Sequence, residues 1–389
     1  MKKIFYICAM LALMTTGAYA QDKKDDGKGI KIPSWITDLK LSGYGMLQYQ
    51  ANTQEGSESN AFTLRLARIS LDGRIMNDWY WKAQIQFNGN TSSLGSSPRV
   101  VDLFAEWQKY KFFMVKAGQF KRPFTYENPM HPIDQGFMGY SQNVNALAGF
   151  SDRAGAHASN GRDIGVQIQG DVLPNSNGRN LLHYQVGVFN GQGINTTDVD
   201  QQKDLIGGIW VMPVAGMRIG AFGWTGSYAR KGTWTEIDER VQDAPVTMTK
   251  NGVRKLHQHR YAFSAEYKVN DWTVRSEYIH STGYAFSKTG VTSNDDASIN
   301  ESIGNKADGI YALAIAPVIK KKLYAKARYD MYRPSGDWDR AKTQYEVGVN
   351  YMFHKNLQIN AEYALVNNRA LADDKHNYSV VDIELDFRF

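Results

Sequence analysis

The chain has 389 residues, a formal net charge of +6, 12% aromatic residues and a mean hydropathy of −0.46. So small and dispersed a positive excess argues against a nucleic-acid-binding protein. Past residue 20 no stretch is apolar enough for a membrane-spanning helix, and the single cysteine, Cys8, falls before that point.

Residues 1–20, MKKIFYICAMLALMTTGAYA, place Lys2 and Lys3 before an apolar run that ends in Ala18-Tyr19-Ala20. That is the pattern of a cleaved secretory signal, and the run is shorter than the ~20 residues a spanning helix needs. Cleavage would leave 389 − 20 = 369 residues and a charge of +6 − 2 = +4. Without Cys8 no disulfide, thiolate nucleophile or cysteine-ligated metal is expected. Residues 21–36 read as a short periplasmic segment and 37–389 as one domain, with no linker inside it.

Within that domain period-two patterning recurs almost to the end. Strands are predicted at 39–50, 61–75, 79–89, 100–109, 112–119, 163–172, 181–190 and 204–212. The second half continues with 217–228, 260–269, 272–281, 309–317, 323–332, 343–353, 357–366 and 378–389. In 79–88, Trp79, Trp81, Ala83, Ile85 and Phe87 alternate with Tyr80, Lys82, Gln84, Gln86 and Asn88. Segment 61–75 changes parity, which predicts a bulge near Leu66–Ala67. The last segment sets Val381, Ile383, Leu385, Phe387 and Phe389 against Asp382, Glu384, Asp386 and Arg388.

The connections alternate long and short. Long ones fall near 51–60, 90–99, 120–162, 191–203, 229–259, 282–308, 333–342 and 367–377. Tight turns lie between them, at Asn77-Asp78 and Asn270-Asp271 for example. This predicts an all-β fold: a 16-stranded antiparallel up-and-down transmembrane β-barrel with long external loops and short periplasmic turns. Apolar parities would face outer-membrane lipid and charged ones a wet lumen. The last strand would pair with the first, because lipid leaves no place for an open edge. Rings near strand ends (Trp79, Trp81, Trp107, Trp272, Tyr278, Tyr345, Tyr351 and Phe353) suit the two membrane interfaces. A soluble sandwich or propeller is disfavoured by strands of ten or more residues.

Three stretches, GQFKRPFTYEN (118–128), GRDIGVQIQGD (161–171) and VGVFNGQGIN (186–195), together with the terminal Phe389, resemble the phosphate-selective porin O and P family in its Bacteroidetes-type form. The resemblance extends over essentially the whole mature chain. It implies a homotrimeric outer-membrane porin whose loop after strand five folds into the lumen as a constriction, with Arg and Lys lining an anion path. Small hydrophilic or anionic solutes, phosphate among them, would be the cargo, and no cofactor is implied.

The 120–162 connection is long enough to be functional in its own right. It carries Lys121, Arg122, His131, Arg153, His157 and Arg162 against Glu127, Asp134, Asp152 and Asp163. Parity places Lys40, Arg65, Arg68, Arg74, Lys82, Lys116, Arg218, Arg275, Lys326, Arg328 and Arg388 in the lumen. Asp102, Glu106, Glu266, Glu277, Glu346, Glu362, Asp382, Glu384 and Asp386 share that face. The anion path is expected at Arg65, Arg68, Lys82, Lys116, Lys121 and Arg122, with Arg153, Arg162, Lys326 and Arg328 as further pore-lining cations. The alternative is a salt-bridged wall that only keeps the barrel's shape. His257-Gln-His259 offers two imidazoles where a metal site needs three or four ligands. No catalytic motif occurs, so no catalytic residue is assigned. An enzyme on a barrel scaffold, of lipase or protease type, would have to use His183 or His280. An adhesin or receptor would use the 229–259 and 282–308 loops.

Overall fold

The computed structural model describes residues 33–88, 98–150, 159–238, 246–287 and 296–389. Residues 1–20 and most of 21–36, the expected signal and periplasmic segment, therefore lie outside the described residues.

The first eight strands are β1 (Ile36–Asn52), β2 (Ser59–Ile75), β3 (Trp79–Gln86), β4 (Arg99–Tyr110), β5 (Phe113–Lys121), β6 (Arg162–Pro174), β7 (Asn180–Phe189) and β8 (Asp204–Val211). The others are β9 (Met217–Asp238), β10 (Val246–Val269), β11 (Trp272–Thr282), β12 (Lys306–Ile319), β13 (Leu323–Arg333), β14 (Lys342–His354), β15 (Leu357–Asn368) and β16 (Asn377–Arg388). Each pairs antiparallel with its neighbours in sequence, and β1 also pairs with β16, closing the barrel. The expected strand count, order and closure are all present.

Side-chain exposure is inverted relative to a water-soluble sheet. On β14, Tyr345 and Val347 are each 56% exposed while Glu346 between them is 8% exposed. On β16, Phe387 is 46% exposed and Glu384 1%. A continuous outer belt of Val, Leu, Ile and Tyr would be costly in water and is stable against acyl chains. Met76 and Asn77 in one tight turn, and Asn270 and Asp271 in another, have positive φ. That is the type I′ geometry whose twist matches the flanking strands. The bulge in β2 falls at Arg65, a residue or two before its expected place, where the register steps from Met46↔Leu66 to Leu47↔Leu64.

Two expectations need correction. Within 229–259, read as a loop, residues 229–238 and 246–259 instead prolong β9 and β10 as paired strands from Val246↔Asp238 down to the barrel. Their outer face is polar (Lys231, Thr233, Thr235), so no apolar alternation marks them, while Tyr228 and Leu256 pack with Phe286 and Ala297 on the other side. The lumen is also not uniformly polar. Inward positions of β7–β9 carry Phe189, Ile206, Phe222 and Trp224, which form an apolar core with Phe124, Tyr126, Leu147 and Phe150 of the β5–β6 connection. The inward parity of β8–β9 (Ile206, Trp210, Phe222, Trp224) held this signal.

Gly118 in β5 has a φ of +131°, and a Cβ there would sit 2.2 Å from the Leu103 carbonyl oxygen. Backbone strain and a backbone clash act together. Gly118→Ala is expected to cost more than about 3 kcal/mol and to deplete the heat-modifiable folded band on unboiled gels. An undiminished band would contradict it.

Candidate functional site

The β5–β6 connection enters the barrel and crosses it. Its anchor is Glu277 of β11, whose carboxylate accepts from the amides of Tyr126 (2.6 Å) and Glu127 (2.8 Å), the Tyr311 hydroxyl (2.7 Å) and the Ser264 hydroxyl. The turn after it then reaches the opposite wall, where Arg388 of β16 meets Asp134 at 2.8 Å. Lys326 donates to the Gly136 carbonyl at 3.0 Å, Arg328 donates to that of Gly139 at 2.9 Å, and both lie over the Phe137 ring. A short helix, α1 (Gln142–Leu147), docks on β11–β13. Asn143 of α1 donates to the Glu277 carbonyl at 2.9 Å, and the Gln142 amide donates to Asp330 at 2.9 Å. Burial pushes the Glu127 carboxyl upward, against the pull of Arg275 and Arg328. The loop thus packs against β7–β13, leaving space beside β1–β6 and, next to Ile133–Gly136, a cavity of about 440 Å³ towards the β10–β11 turn and β13–β15.

In the space beside β1–β6 lies a cavity of about 280 Å³ lined by Arg68, Lys82, Lys116, Lys121, Arg162 and Asp102, among others. A second, of about 340 Å³, shares Tyr44, Lys82, Gln84 and His131 with it and leads past Lys40 and Arg388 to the Lys355-Asn356 turn. Arg162 forms a two-point ion pair with Asp102 (2.6 and 3.1 Å), and Lys116 stands 3.7 Å from Glu106. Arg68 donates only to the neutral Gln86 (2.8 Å) and Tyr44 (2.9 Å) oxygens. Lys121 donates to the Met130 carbonyl (2.6 Å) and the Tyr140 hydroxyl (3.0 Å). Lys82, opposite Asp72 across the ladder, has no ion pair among the described residues. Counting Arg68, Lys82, Lys116, Lys121 and Arg162 against Asp102 and Glu106 gives 5 − 2 = +3.

The remaining expected cations sit elsewhere. Arg65 is held by Glu384 at 2.9 Å. Arg122 is buried, paired with Asp163 at 2.9 Å and stacked over Trp224, so it belongs to the loop's core. Lys326 and Arg328 pair with Glu362 and Glu346 and clamp the loop. Arg153 lies outside the described residues. The lumen charges thus differ from place to place: ion pairs under the loop, and beside it a slot where cations outnumber carboxylates. His183 pairs with Asp171 at 2.7 Å and stacks on Trp210, whereas His280 stacks on Tyr261 on the outer face. Neither hydrogen-bonds to a serine or threonine among the described residues.

His131 borders both cavities, with its ring 4.4 Å from that of Tyr44. Burial holds its imidazole down at about 4, aided by Arg388, Lys121 and Lys82 and opposed by Asp134. Between that value and the ordinary 6.5 the unfolded chain binds a proton the native one refuses, so stability falls as pH drops through this window. The melting temperature in detergent is expected to fall between about pH 7 and about pH 5. The fall should be smaller for His131→Asn, and an equal fall would remove His131 from the account.

The family model for phosphate-selective porin O and P matches residues 41–202. All three motif stretches lie inside that span, which covers less than half of the chain. Solved structures of the same architecture include an anion-selective porin from Comamonas acidovorans (TM-score 0.61, 13% identity, 90% of this chain and 99% of that one). Others are OmpF of Salmonella typhi in complex with daunomycin (0.59, 13%, 92% and 100%) and the trimer form of OmpT from Vibrio cholerae (0.56, 12%, 90% and 99%). At these identities the likeness is one of fold. No curated protein sequence matches the chain. The closed barrel and the family match over residues 41–202 support an outer-membrane porin.

Proposed function

We propose that this porin is a passive diffusion channel preferring small hydrophilic anions, inorganic phosphate included. The observation that carries the reading is the net +3 of the slot, where Arg68, Lys82 and Lys121 face no carboxylate at ion-pair distance among the described residues. Selectivity is decided at the narrowest point, where fixed cations replace part of an anion's hydration and repel cations. Elsewhere the paired charges are screened over ~8 Å at physiological salt. Because Arg68 and Lys121 also keep bonds to neutral oxygens, an anion would be held weakly enough to leave. The 120–162 connection is the constriction, residues 1–20 direct export, the long connections face outward, and the working unit is a homotrimer.

The test is the reversal potential of reconstituted channels in a KCl gradient, with and without phosphate on one side. An anion-selective potential that shifts with phosphate is expected; a cation-selective one would overturn the reading.

A further inference from the structure

In the slot the unbalanced charge coincides with apolar surface. Phe104 and Tyr80 stand half-buried on the wall, with ring centroids 6.0 Å apart. The loop presents an exposed Pro129 and a half-buried Met130 to the same cavity. The Lys116 ammonium lies 5.0 Å from the Phe104 centroid and 5.3 Å from that of Phe120. On β14–β16, by contrast, the inward positions Asn350, Asn360, Glu362, Asp382, Glu384 and Asp386 are polar, and the apolar ones beyond them (Ala364, Val366, Tyr378) are buried against one another. Apolar side chains left open to a wet passage raise the cost of a small, fully hydrated ion there. They lower it for a solute that brings an apolar surface of its own.

We infer that the slot's preferred cargo is an organic anion, a carboxylate, sulfonate or phosphate ester whose apolar or aromatic body lies between Phe104–Tyr80 and Pro129–Met130 while Lys82, Lys116 and Lys121 hold its charge. This rests on the anion-channel reading and narrows its substrate class. A volume of about 280 Å³ admits a single ring with its charged group. Lys116 is already placed above two rings, so a bound aromatic would extend an existing cation–π arrangement.

The test is block of KCl current through single wild-type channels by benzenesulfonate, methanesulfonate and inorganic phosphate, three anions that differ in apolar body. Benzenesulfonate is expected to block at a concentration roughly tenfold below methanesulfonate, the value of a partly buried ring, and below phosphate. In Phe104→Ala, and independently in Met130→Ala, the benzenesulfonate advantage should shrink towards unity. Equal block by the two sulfonates, or tighter block by phosphate, would overturn this inference and leave the anion channel standing. A cation-selective reversal potential would instead remove the reading beneath it. The wild-type series decides the matter even if a variant fails to fold.

Discussion

Glu277→Ala is expected to raise single-channel conductance by roughly two- to threefold, because an unplugged barrel of sixteen strands leaves a wide aqueous bore. One carboxylate receives two loop amides and two hydroxyls, and it stands on a strand that cannot follow the loop if the loop moves. Without it the Tyr126 and Glu127 amides are buried donors with no acceptor, at about 1–3 kcal/mol each. Arg275 beside it would lose one nearby counter-charge and keep Glu266 at 3.2 Å and Glu127 at 4.0 Å. The loop is then less costly in water than in place. Glu277→Gln keeps an acceptor oxygen but no charge and should fall between the two. Bilayer recordings would show the change as larger steps with weaker ion preference. Wild-type step sizes from a folded Glu277→Ala barrel would mean that the clamp at Phe137 and the α1 contacts hold the loop alone.

The second large effect is on the sign of selectivity. Changing both Lys82 and Lys121 to Glu takes the slot from +3 to +3 − 4 = −1, and the reversal potential in a salt gradient should change sign. Charges a few ångströms from a permeating ion at an effective dielectric near 20 interact by several kcal/mol, well above thermal energy. Arg122→Glu is the informative contrast. That side chain is buried against Asp163, Ser159 and Trp224, so a carboxylate there meets another carboxylate without water. Its consequence should be loss of folded protein. If Lys82→Glu/Lys121→Glu channels kept their anion preference, the charge at the slot would not be what selects.

Much of this was legible in the chain before any coordinates. Parity alone put Tyr345 and Val347 against lipid and Glu346 in the lumen, because a closed barrel admits only two faces and only one of them is wet. The same parity placed Arg68, Lys82 and Lys116 on one wall. It could not separate Lys121 from Arg122, adjacent residues at the strand end, one lining the slot and the other stacked on Trp224. Their fates depend on where the loop turns, which is set by partners as distant in sequence as Glu277 and Lys326. Nor could it separate the Arg328–Glu346 pair from the Lys82 ammonium, since pairing across strands requires the register. The β9–β10 hairpin escaped for a different reason: above the lipid, with its outer face polar, a strand loses the apolar alternation that marks its neighbours.

The partners of the β5–β6 loop carry a consequence for assembly. Residues 126–142 bind Glu277, Lys326, Arg328, Asp330 and Arg388, about 150 to 250 positions further along the chain. Contacts so remote are made late, after the segments between them have been ordered. Until the C-terminal third of the barrel is laid down, residues 127–142 lack these partners and the loop is held at its ends, through Arg122 on Asp163 and through Phe124, Tyr126 and Leu147 on β7–β9. The polypeptide must therefore pass through a stage in which the cylinder is nearly complete and its interior still open, and selectivity is the last property the molecule acquires.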